Sequence, residues 1–178
     1  VATLTEFEPL DFGEQEGSCD VARSAADFLN ALASLTGSQH RLQAVQKTPG
    51  ENLLDAALAQ IDAPNVVIPQ ILGIGTPIGV GEPQLLQTIQ KSGRTTGLTQ
   101  GIVEQIDVTV NVDYNGQQAF FTDQFIAGPM SQPGDSGSAS LDQNRNVLGL
   151  LFAGSNRATI FTPIQRVLDH FGVTVITE

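Results

Sequence analysis

Cysteine is all but missing from this chain of 178 residues, where Cys19 stands alone. An internal disulfide and a cysteine-based metal cluster are thereby excluded. Cys19 sits at the head of an expected helix, a place that lowers a thiol pKa. No histidine lies near it in sequence, however, and it reads as a structural thiol. Histidine is scarce too, with only His40 and His170. No cluster of His, Cys or carboxylates has ligand spacing, so neither a metal nor an organic cofactor is expected. Basic residues number 8 against 19 acidic ones, a net charge of −11. Such a surface repels phosphates and anionic lipid headgroups, which argues against nucleic acid or membrane as partners. No apolar run reaches the roughly 18 residues that a membrane-spanning helix needs. A soluble protein is expected, in the bacterial cytoplasm or secreted, and the lone cysteine does not decide between them.

What the chain does contain suits a packed domain. Hydrophobic residues make up 40% and charged ones 15%, enough apolar surface to build a core and too little charge for wholesale disorder. Gly and Pro are scattered rather than clustered, as where many short strands are joined by turns. Residues 1–18 read as an irregular or edge-strand segment. Over 20–35, Val21, Ala25, Phe28, Leu29, Leu32 and Leu35 recur at helical spacing, with Ser18 or Asp20 to cap the start and Gly37 to end it. A β-like stretch follows at 41–46.

From residue 64 the pattern turns to strands. Asn65-Val66-Val67-Ile68-Pro69 is short and β-branched. The stretch 100–114 is long, with Val103, Ile106, Val108, Val110 and Val112 mostly alternating, and Asn115-Gly116 signals a type I′ hairpin returning through Ala119-Phe120-Phe121. Strands at 138–142 and 147–152 flank a turn. A last helix from Thr162 or Pro163 ends at Phe171 before Gly172. Many short strands and few helices predict an all-β sandwich or barrel.

The sharpest local feature is Ser131-Gln132-Pro133-Gly134-Asp135-Ser136-Gly137-Ser138. A serine hydroxyl becomes a useful nucleophile when a base takes its proton and backbone N–H groups receive the oxyanion. Glycines beside it allow the tight turn that aims those N–H groups. This is not the Gly-x-Ser-x-Gly elbow, because Ser138 stands where that motif has its second glycine. Alone, the tetrapeptide Gly134 to Gly137 reads as a nucleophile or as an ordinary polar turn.

Its surroundings separate the two. Gly134-Asp-Ser-Gly-Ser followed by Leu148-Gly-Leu-Leu-Phe-Ala-Gly154-Ser resembles the nucleophile segment and next strand of the trypsin-like serine peptidases. Lys91-Ser-Gly-Arg-Thr-Thr-Gly97 is similar to the Ser-Gly-x-Thr-Thr-Gly stretch of their bacterial branch. Asn52-Leu-Leu-Asp55-Ala-Ala-Leu-Ala resembles the segment carrying that family's catalytic aspartate, and the order along the chain agrees.

The resemblance implies a chymotrypsin-like double β-barrel. Residues 1–63 would be a remnant of the N-terminal barrel with the helix inserted at about 20–35, and 64–178 the complete second barrel. It implies serine endopeptidase activity, with Ser136 as the acylating nucleophile, Asp55 orienting the catalytic imidazole, and the N–H groups of Gly134 and Ser136 as oxyanion hole. Asp135 would help hold that loop. Phe152, Ala153 and Gly154 would pair with an extended peptide substrate as an added strand. By the same match Met130 lies near the floor of the primary specificity pocket, where an apolar floor disfavours Arg or Lys; core packing is its other reading.

One part is missing. The family places a histidine upstream of the aspartate in a recognisable segment. His170 follows the serine and reads as a surface residue, while His40 precedes Asp55 too closely and in the wrong context. The chain opens at Val1, and Met130 is its only methionine. The expectation is therefore a processed or truncated piece, with the catalytic histidine on a segment upstream of Val1, present as an N-terminal fragment of the same precursor. By itself the chain would then be inactive. The alternatives are a peptide-binding pseudoprotease and a structural β-domain whose Gly-Asp-Ser-Gly is a turn.

Overall fold

The computed structural model describes residues 2–16, 24–25, 27–28, 30, 45–47 and 50–177. Its strands are β1 (Ala2–Phe7), β2 (Glu14–Glu16), β3 (Val45–Lys47), β4 (Glu51–Asn52), β5 (Ala57–Ile61), β6 (Gly79–Val80), β7 (Thr88–Gly93), β8 (Gly97–Tyr114), β9 (Gln117–Ala127), β10 (Ala139–Leu141), β11 (Asn146–Gly154) and β12 (Thr159–Pro163). The helix α1 (Ile164–Phe171) follows directly.

The long alternating stretch forms β8, and Asn115 and Gly116 turn it back into β9 with φ of 57° and 92°. Both angles are left-handed, the geometry in which a two-residue hairpin matches strand twist. β9 pairs with β12, β12 with β11, β11 with β10, and β10 with β7, which returns to β8. That ring closes a barrel and so leaves its strands few open edges. Inside it pack Ile89, Val103, Phe125, Ala127, Met130, Leu148, Leu151 and Phe161. The fold is all-β around this barrel.

The alternation of β8 is broken on the way. Register shifts fall between Val103 and Val110, with Asp107 at a φ of 53°, and they carry Ile106 to the outside. Such bulges re-aim side chains and sharpen twist. α1 seats Ile164 and Val167 against Leu141 and Val147 on the barrel's outer face, and Gly172 ends it in the left-handed conformation.

Away from the barrel, among the described strands, β1 and β5 pair only with each other, as do β2 and β3. Every residue of β1 is exposed. The expected helix over 20–35 is helical at the described residues Ser24, Ala25, Asp27, Phe28 and Asn30; its remainder lies outside the described residues, as do Cys19 and His40. Of the stretch 41–46, only Val45 and Gln46 are described, and both are in β3. The strand expected at 65–69 does not form: a turn at Pro64 and Asn65 and irregular backbone take its place, and Val66, Val67 and Ile68 are exposed. With Pro64 and Pro69 bracketing it, and prolines lacking the ladder N–H, β-branched content does not suffice there. Among the described residues, no helix is long and apolar enough to cross a membrane.

Candidate active site

Ser136 is exposed on the loop from β9 to β10, and the residue before it is wholly buried. That inversion organises the site. Asp135 turns its carboxylate under the loop, where it accepts N–H bonds from Gln132 at 3.0 Å, Thr95 at 2.7 Å and Thr96 at 3.1 Å. Thr96 Oγ1 donates to it at 2.7 Å, and Lys91 Nζ stands 3.1 Å from Oδ2. Burial pushes this carboxyl up, but the bonds from Thr96, Gln132 and Thr95 outweigh it and hold the group well below the usual carboxylate range. A permanent anion thus anchors the loop from beneath.

The loop backbone is set by two left-handed glycines, Gly134 at φ 101° and Gly137 at φ 84°. At Gly134 a Cβ would also meet Thr95 Oγ1 at 2.5 Å, so only glycine fits. Gly137 N–H donates to the Leu151 carbonyl at 2.7 Å, and Leu151 N–H to that of Ser138 at 3.0 Å, which fastens the loop to β11. Among the described residues, the N–H groups of Gly134 and Ser136 have no such partner.

Asp55 reaches the same place from another element. Asn52 Nδ2 donates to the carbonyls of Phe120 at 3.0 Å and Asp11 at 2.9 Å, while Gln124 Nε2 donates to that of Leu53 at 3.0 Å. These bonds tie the segment 52–55 to β9. Half-buried Asp55 then lines a cleft of about 590 Å³ together with Glu8, Tyr114, Ser136, Gly137 and Phe152. Tyr114 Oη donates to Asp55 Oδ2 at 2.6 Å. Burial, then that bond and the aspartate charge, push the phenol well above its ordinary range.

A second hollow, about 320 Å³, opens on the other side of Ser136 and is lined by Ser131, Gln132, Pro133 and residues 151–156. Phe152, Ala153 and Gly154 form one of its walls. Met130 is not among the lining residues: its side chain is buried in the barrel core, packed over Gly101. Its neighbour Ser131 faces the hollow instead. His170 lies on α1 with Nε2 3.1 Å from Glu8 Oε2, outside the residues that line the cleft. Among the described residues, no group of three or more His, Cys, Asp or Glu could hold a metal ion.

No family model matches the chain. Streptogrisin-A of Streptomyces griseus is 34% identical over 95 residues, which cover 51% of this chain and 31% of that protein. The chain thus spans under a third of this relative's length. Among solved structures, Thermobifida fusca protease A superposes with a TM-score of 0.60 at 25% identity, over 70% of this chain and 69% of that one. The chain is similar to bacterial serine peptidases of the chymotrypsin fold. Cellulomonas bogoriensis chymotrypsin, with a TM-score of 0.60 at 23% identity over 70% of each chain, shares the fold.

Three side chains of the site went unassigned by motif reasoning. Lys91 was legible only as part of the Ser-Gly-x-Thr-Thr-Gly match. Its alternation with Ile89 along β7 was the available signal, because period two sends both inward. Thr96 belonged to the same match and turns out to bridge Lys91, at 2.6 Å, and Asp135. Tyr114 ends a strand eighteen residues long, and nothing local announces its reach to Asp55.

Proposed function

We propose that this chain is the nucleophile-bearing part of a serine endopeptidase acting through an acyl-enzyme on Ser136. The observation that carries this reading is the shared cleft. Ser136 and Asp55, far apart in sequence, line one cavity of about 590 Å³ that is roomy enough for an imidazole between them. In the proposed reaction Ser136 Oγ attacks the substrate carbonyl carbon and gives its proton to the imidazole. The imidazole passes that proton to the leaving amine nitrogen as the peptide bond breaks. Water then attacks the acyl ester, gives a proton to the imidazole, and Ser136 Oγ recovers it.

Asp55 orients the imidazole and stabilises its charged form. The N–H groups of Gly134 and Ser136 receive the oxyanion, held in place by the Asp135 anchor. The substrate runs along 152–154 as an added strand. Beyond Leu151 only β12 pairs with β11, which supports an open edge there among the described strands. The side chain before the scissile bond enters the 320 Å³ hollow beside Ser131.

The imidazole comes from polypeptide upstream of Val1, joined to this chain or held as a separate fragment of the same precursor. The exposed β1–β5 ribbon, with Leu4 60%, Phe7 59% and Leu53 50% exposed nearby, suits a first barrel that this polypeptide completes. Intact-mass spectrometry after fluorophosphonate treatment tests the proposal. One adduct on the Ser136 peptide is expected when a histidine-bearing segment is present, and none in Ser136→Ala. An unlabelled Ser136 despite that segment would leave a peptide-binding groove without catalysis.

A further inference from the structure

Tyr114 is the chain's only tyrosine. It sits at the last position of β8 and packs against the buried cluster of Ala119, Phe121 and Phe152. Its ring is wedged between Phe12, at a centroid distance of 6.0 Å, and Phe121, at 6.3 Å; Phe121 in turn packs on Phe152 at 4.7 Å. This aromatic row leaves the phenol little choice of direction. The hydroxyl donates to Asp55 Oδ2 at 2.6 Å, inside the same cleft as Ser136.

Resting on the peptidase reading, we propose that Tyr114 is the positioning residue of Asp55, clamping Oδ2 so that Oδ1 remains to accept the imidazole N–H. Among the described residues no other hydrogen bond holds the Asp55 carboxylate. A half-buried carboxylate with one oxygen free would otherwise rotate about its last torsion, which is broad for aspartate. A single bond from a phenol fixed by ring packing removes that freedom. It also draws charge from the carboxylate, which moderates the pull of Asp55 on an imidazolium. The phenol serves as a neutral donor and not as a base, because burial and the adjacent anion oppose its ionisation. The ionisable groups lining this cleft are Asp55, Tyr114 and Glu8, and Glu8 is taken up by His170.

The test pairs Tyr114→Phe with two readouts on the active protein, upstream segment included. In the first, the pH dependence of kcat/KM is measured on a peptide substrate. Loss of the clamp is expected to lower kcat about tenfold with little change in KM. It is also expected to raise the apparent pKa of the catalytic base by about half a unit, since an unclamped carboxylate favours the imidazolium more strongly. Activity lost only in proportion to the unfolded fraction, with the pKa unmoved, would make Tyr114 mere packing and overturn the proposal.

In the second readout, the ultraviolet difference between wild type and Tyr114→Phe isolates this one phenol. It is expected to stay un-ionised through pH 11, and to ionise at lower pH once Asp55→Asn removes the charge. Ionisation near the ordinary value of about 10 in the wild type would show that the bond is not made. If wild-type Ser136 fails to react at any pH, the peptidase reading falls, and the phenol titration still decides the clamp.

Discussion

Lys91 Nζ stands 3.1 Å from Asp135 Oδ2, with both side chains fully shielded from solvent. Asp135 immediately precedes the exposed Ser136, and Thr96 Oγ1 completes the pair by accepting from the ammonium and donating to the carboxylate. The loop's position is therefore set by a charge interaction that water does not screen. Breaking a buried pair by removing one partner costs far more than the pair contributes net, because the survivor is left charged and uncompensated.

Lys91→Met should accordingly destabilise the protein by about 3–5 kcal/mol. Urea denaturation of variant and wild type measures this directly. A loss below about 1 kcal/mol would mean that the hydrogen bonds from Thr95, Thr96 and Gln132 suffice for Asp135 without the ammonium.

Acid should act through Asp135. Its carboxyl is held below its unfolded value of about 3.9, so the native state resists taking up a proton that the unfolded chain accepts. The stability this confers is complete above about pH 5 and is withdrawn as the pH falls through 3.9 toward the native value. Unfolding free energy followed from pH 6 to pH 2 should fall with a slope that Asp135→Asn reduces by nearly one proton. An unchanged slope in the variant would remove Asp135 from the acid response.

Gly93→Ala tests the anchor sterically. A Cβ at Gly93 would fall onto the Asp135 carboxylate, with the Asp135 Cβ itself only 2.9 Å away. Asp135 has no room to retreat, so about 1–3 kcal/mol of stability should be lost. The fluorophosphonate reaction at Ser136 should slow as well. Thermal unfolding and labelling rates of the variant check both, and a variant matching wild type in each would contradict the crowding.

Substrate preference should follow the lining of the 320 Å³ hollow. None of its described lining residues is ionisable, while Ser131, Leu151 and the 152–154 backbone offer hydroxyl, apolar and amide surface. A charged side chain buried there would lack a counter-ion. Peptides with Leu, Met or Phe before the scissile bond should therefore exceed those with Arg, Lys or Glu by at least about tenfold in kcat/KM. Equal rates for Arg and Leu would show that a charged group reaches the hollow from elsewhere.

The sequence by itself determined the strand-rich class, the β8–β9 hairpin and the C-terminal helix. These depend on local rules: side-chain alternation, glycine and asparagine at left-handed positions, and a helix stop at Gly172. It also carried the motif around Ser136 and the candidate Asp55, because their neighbours in the chain are part of the pattern. Only the tertiary structure decided what lies opposite them. The inward turn of Lys91 onto Asp135, the arrival of Tyr114 at Asp55 and the withdrawal of Met130 into the core each depend on how distant segments are brought together. The bulges in β8 and the closure of the barrel set those meetings. A strand's pattern states which face a residue takes, but the partner on that face is chosen by the packing of the whole chain.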